Sequence, residues 1–154
     1  MRREISLLLL LVIAVCFSCS TDKDQTGETL FKELPSDSTN VVFENKLTFD
    51  QDFNIYTYRN FYNGGGVGLG DINNDGLIDV YLVSNQQSNR LYLNKGNFKF
   101  EDITEKAGVG GTRAWSTGVS FADVNADGWL DIYVCNSGDV KGDDKENELF
   151  INNG

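Results

Sequence analysis

The sequence predicts an all-β fold built from propeller-type blades, with about two blades legible in 154 residues. Three observations carry that expectation. A nine-residue acidic loop occurs twice. Each copy runs into a short apolar stretch rich in β-branched and aromatic residues. No segment combines caps with the 3.6-residue stripe of a helix, and Glu105-Lys106-Ala107 offers one turn at most.

Residues 1–19 are read first and set apart as a lipoprotein-type signal peptide. Arg2 and Arg3 precede a nearly unbroken apolar run from Ile5 to Phe17, too short to span a bilayer comfortably. Ser18-Cys19-Ser20 then puts a small residue before a cysteine, which resembles the end of a bacterial lipoprotein signal and makes Cys19 the expected lipidation site. Ordinary secretory cleavage nearby, or a retained anchor, is the alternative, since Cys16 stands where that signal usually carries leucine. With Cys16 and Cys19 so assigned, Cys135 has no intrachain partner and reads as a small buried hydrophobe. Residues 20–40 are polar, hold the one proline (Pro35) and read as a linker, with Leu30-Phe31 as a candidate docking strand. Asp22-Lys23-Asp24 resembles the export tag of surface lipoproteins of Bacteroidetes.

Residues 41–154 form the folded part. Val41-Val42-Phe43, Phe53 to Tyr58 and Phe61-Tyr62 carry β-type composition. The glycines from Gly64 to Gly70 match neither a dinucleotide fingerprint nor a P-loop, so they are expected to let the chain pass close to neighbouring blades. The loop Asp71-Ile-Asn73-Asn-Asp75-Gly76-Leu77-Ile-Asp79 leads into Val80 to Val83. It returns as Asp123-Val-Asn125-Ala-Asp127-Gly128-Trp129-Leu-Asp131 before Ile132 to Cys135, 52 positions on. Asn89 to Gly96 returns as Asn147 to Gly154 at an offset of 58, and the six extra residues fall in the polar stretch Ser137 to Glu146. Phe98 to Thr104 supplies an outer strand. Three to four short strands per unit of about 50 residues is the pattern of a propeller blade.

The loops suggest a metal. Oxygen side chains at positions 1, 3, 5 and 9, with glycine at position 6 for the sharp turn, suit a hard cation, and the position-7 carbonyl can add a ligand. The expected ligands are Asp71, Asn73, Asp75, Leu77 and Asp79 in one loop, and Asp123, Asn125, Asp127, Trp129 and Asp131 in the other. The expected cofactor is Ca²⁺, one ion per loop. An EF-hand requires glutamate at position 12, where Leu82 and Val134 stand. The competing reading is an Asx-rich turn without an ion. A net charge of −10 argues against nucleic acid, and the absence of histidine removes His-based catalysis and zinc sites.

The two units resemble FG-GAP/VCBS repeats, the blades also found in integrin α-subunit propellers. The string from Phe61 to Gly76, with Phe100 to Val109 and Trp115 to Val119, resembles bacterial proteins of the cartilage acidic protein-like, ASPIC/UnbV-associated branch. That resemblance implies a ring of about seven blades, of which this chain would be an N-terminal fragment. It also implies a non-catalytic, calcium-stabilised, adhesion-like interaction module, which the signal segment and Cys19 would anchor to lipid at the bacterial cell envelope, on the outer membrane and facing either the periplasm or the surface. Its partner would be a protein or a glycan. The alternative is a scaffold for a larger extracellular enzyme whose catalytic part lies elsewhere.

Overall fold

The computed structural model describes residues 29–138 and 145–154. The signal peptide with Cys19, the cluster Asp22-Lys23-Asp24 and most of the stretch from Ser137 to Glu146 lie outside the described residues. The chain divides into two compact units, Met1–Glu33 and Leu34–Gly154, and the second holds the elements below. Among the described residues no helix is long and apolar enough to cross a membrane.

Strands β1 (Val67–Gly70), β2 (Asp79–Leu82), β3 (Arg90–Asn94) and β4 (Phe100–Asp102) form one antiparallel sheet in sequence order. Strands β5 (Ser116–Ala122), β6 (Asp131–Asn136) and β7 (Glu148–Phe150) form the second. Among the described residues the fold is all-β apart from two single helical turns, α1 (Ser36–Thr39) and α2 (Thr104–Ala107). The repeat is visible in the pairing, since Gly70 faces Asp79 across the first loop and Ala122 faces Asp131 across the second. Both acidic loops therefore sit at the same end of their sheets. The β2–β3 connection and the segment from Ile103 to Trp115 sit at the opposite end.

Tyr81, Val83, Leu91, Val109, Ile132 and Val134 form the buried core, with Val119, Phe121 and Phe150 packed against it. The Tyr81 hydroxyl donates to Val109 O at 2.5 Å, and burial pushes it well above the usual phenol range.

The glycines let the sheets approach. A Cβ on Gly66 would lie 2.9 Å from Gly118 Cα, one on Gly68 2.9 Å from the Phe121 ring, and one on Gly70 3.0 Å from Leu130 Cδ1. Gly65 lies against the Val83 carbonyl. This close passage is what the glycine run predicts.

Three local expectations are corrected. The residues from Val41 to Tyr62 form no strand. Asp50 Oδ1 accepts the N–H groups of Asp52 and Phe53, and Asn54 Oδ1 accepts that of Tyr56, so the chain is held in turns. Phe53, Tyr58 and Phe61 instead gather on Trp115, with ring centroids 5.0–5.4 Å from it. Leu30 and Phe31 lie in no strand and are exposed. Cys135 is half-buried rather than buried.

Candidate metal centre

Each loop begins where its first strand ends and closes on the first residue of the next strand. Asp71 caps the turn: Oδ1 accepts the Asp75 N–H at 3.1 Å and Oδ2 the Gly76 N–H at 2.8 Å. Asn73 Oδ1 also accepts from Asp75 N–H at 3.2 Å, and its amide donates to Asp75 Oδ2 at 2.9 Å. Asp75 Oδ1 accepts the Leu77 N–H at 2.8 Å. The second loop repeats every one of these bonds. Asp123 takes the N–H groups of Asp127 and Gly128, Asn125 engages Asp127 on both sides, and Asp127 takes that of Trp129.

The turn uses the left-handed region at two points in each copy. Gly76 and Gly128 have φ of 84° and 91°, which glycine adopts without strain. Position 4 is also left-handed, at 57° for Asn74 and 62° for Ala126. Asn tolerates that region better than alanine does.

Position 9 differs from the others because it is buried. Asp79 and Asp131 are 0% and 1% exposed. Asp79 Oδ2 accepts the Ile72 N–H at 3.0 Å and Oδ1 the Asn94 N–H at 2.7 Å. Asp131 does the same with Val124 at 2.9 Å and Asn152 at 2.8 Å. Burial raises Asp79 above the ordinary carboxylate value, and the charges of Asp75 and Asp71 add to that, against the two backbone donors. Asp75 is lowered, chiefly by the Asn73 amide and the Leu77 N–H.

The fold therefore brings positions 1, 3 and 5 onto one turn and sets position 9 at its base, while Leu77 and Trp129 join through their N–H groups. Among the described residues, no three carboxylate or thiolate groups stand together as a formed metal cage. In this arrangement the carboxylates serve as acceptors for the loop backbone. The donor set still fits a hard cation: each loop presents three carboxylates and an amide oxygen, and the mutual repulsion felt at Asp79 is what a cation relieves.

A family model described as FG-GAP-like repeat matches residues 71–134, a stretch that runs from the start of the first loop through the second. That stretch of the chain is similar to an FG-GAP-like repeat. Cartilage acidic protein 1 of Xenopus tropicalis is 37% identical over 78 residues, which is 50% of this chain and 12% of that protein. The proteins of the same name from Mus musculus and Homo sapiens are each 36% identical, over 73 and 76 residues, covering 47% and 49% of this chain. The matched part spans only 11% and 12% of their lengths.

Reading the FG-GAP-like loops from their ligand pattern misses two residues that hold them. Asn94 and Asn152 give their N–H groups to the buried position-9 carboxylates, and their side-chain amides reach back to Ile78 O and Leu130 O at 2.9 and 3.2 Å. Their recurrence at an offset of 58 is the signal that could have found them. At the opposite end of the sheets lies an open cleft of about 560 Å³. Asn85, Gln86, Asn89, Gly111, Thr112 and Arg113 are among the residues that line it. Arg113 meets Glu146 at 3.7 Å.

Proposed function

We propose that this chain is a non-catalytic, extracytoplasmic interaction module, held together by one Ca²⁺ in each acidic loop and tethered to lipid through Cys19. The observation that supports it most is the duplication of the loop in full. Two copies share their donor types and hydrogen bonds, and in both the position-9 carboxylate is buried at the strand junction. Asp71, Asn73, Asp75 and Asp79 would hold one ion, and Asp123, Asn125, Asp127 and Asp131 the other, with the carbonyls of Leu77 and Trp129 as further donors. A bound ion supplies charge neutralisation, stabilises the folded state alone and so braces the connection between two strands. With the ions engaged structurally at one end, the cleft end remains for a protein or glycan partner. The FG-GAP-like repeat and the relatives support work outside the cytoplasm.

The test is thermal unfolding of the full chain with millimolar calcium and with excess chelator, beside the Asp75→Ala plus Asp127→Ala variant. Calcium should raise the midpoint of the parent by several degrees and leave the variant unmoved. Equal midpoints for the parent in both conditions would remove calcium from the reading. Mass spectrometry of the mature protein tests the tether, and an unmodified Cys19 would refute it. Capture of envelope partners with and without calcium tests the interaction role.

A further inference from the structure

We propose that the two loops take up their cations as a coupled pair, through Asn152 and Asn74; this rests on the calcium reading above. A hydrogen-bonded chain joins the two position-9 carboxylates. Asp131 Oδ1 accepts the Asn152 N–H at 2.8 Å, the Asn152 side-chain amide donates to Ile72 O at 2.8 Å, and the Ile72 N–H donates to Asp79 Oδ2 at 3.0 Å. Two residues, Asn152 and Ile72, thus link the base of the second loop to the base of the first.

A second bridge joins the loop tips. The Asn74 amide donates to Gly128 O at 3.2 Å, and the Gly128 N–H is held by Asp123 Oδ2 at 2.9 Å. In both bridges an asparagine from one repeat grips a backbone unit that a carboxylate of the other repeat also grips. An ion that fixes Asp131 and Asp123 therefore orders Asn152 and Gly128, and through them Ile72 and Asn74. The second ion then meets a loop whose ordering cost is already reduced.

The repeat supplies its own controls. Asn94 holds the place of Asn152, yet its amide reaches Ile78 O within its own repeat. Ala126 holds the place of Asn74 and has no amide to donate. The coupling is thus a property of these two asparagines and not of the loop pattern.

Calorimetric titration of the chelator-stripped full chain with calcium chloride tests it. A coupling of about fivefold gives a Hill coefficient of about 1.4 for two sites. Asn74→Gly, which removes the amide without left-handed strain, and Asn152→Ala should each bring the coefficient towards 1 with two ions still bound. Asn94→Ala should leave it as in the parent. Asp127→Ala should leave the remaining site about twofold weaker than the parent's half-saturation point, the square root of a fivefold coupling. Two independent sites in the parent overturn the coupling and leave the calcium reading standing. Unchanged coupling in the Asn74→Gly plus Asn152→Ala double variant does the same. No calcium binding overturns both. Circular dichroism checks folding, and Asn74→Gly, a change at an exposed loop position, carries the test if Asn152→Ala does not fold.

Discussion

Replacing Gly66 by alanine asks how closely the two sheets must approach. The added Cβ falls 2.9 Å from Gly118 Cα and 3.1 Å from Thr117 O. Both are backbone atoms at the start of β5, so no rotamer change relieves the contact. Relaxed carbon contacts lie at about 3.5–4.0 Å, which means the sheets must part locally by roughly 0.6 Å. A gap of that size forfeits about a quarter to a half of each dispersion contact along the shared face. That face includes Gly68 and Gly70 against Val119, Phe121 and Leu130. Overpacking costs about 1–3 kcal/mol, and the backbone contact puts Gly66→Ala near the top of that range. The melting point should fall by roughly 10 °C. Gly64→Ala is the control. Nothing lies within 4 Å of its Cβ, and its cost comes from a φ of 78° alone, about 1 kcal/mol. Urea unfolding at fixed calcium, followed by far-ultraviolet circular dichroism, measures both. A loss below about 0.5 kcal/mol for Gly66→Ala would show that the sheets repack freely and refute the close-approach argument.

Trp115 is 1% exposed and touches three aromatic rings, so Trp115→Ala should cost about 3–5 kcal/mol by urea unfolding; a loss under 1 kcal/mol would deny it a packing role. Ala126→Gly relieves the left-handed φ of 62° and should stabilise the protein by about 0.5–1 kcal/mol after the flexibility gained by the unfolded chain, whereas a destabilised variant would contradict the backbone assignment. In calcium-free protein, carboxyl carbon titration by NMR should find Asp79 above Asp75. Asp79 is raised, so its contribution to stability is full below the ordinary value of 3.8 and is lost as pH climbs through its folded value. Asp75 is lowered, so its contribution is present above 3.8 and is lost as pH falls through its folded value. The reverse order of titration would show that the charges of the loop are arranged otherwise.

Apart from β4, the strands after Gly66 were legible because the sequence states them twice, β1 as β5, β2 as β6 and β3 as β7. Val80 to Val83 and Ile132 to Cys135 have the same neighbours, and the offset carries the start of β2 over to that of β6. The stretch from Val41 to Tyr62 has no second copy, and there composition misled. Its aromatics are those of a strand, but Asp50 and Asn54 bind their own backbone and turn the chain first. The packing partner of Phe53, Tyr58 and Phe61 is Trp115, more than 50 residues away in sequence, and no local pattern announces that contact. In the acidic loops the oxygen spacing was legible and the burial of position 9 was not, because burial depends on where Asn94 and Asn152 return.

That burial changes what position 9 does. A ligand on an exposed turn contributes only when an ion is present, as its charge is otherwise solvated. Asp79 and Asp131 are different, since each already bridges the start of its loop to the turn after the third strand through two backbone N–H groups. Each carboxylate therefore closes its blade, and Asp79 also carries a charge that burial and the neighbouring acids make costly. A cation would remove the cost while leaving the bridge in place. This is why the loop is better understood as a joint in the fold than as a sensor added to it: its most deeply placed donor belongs to the strand pairing, and a bound ion would draw on that same side chain.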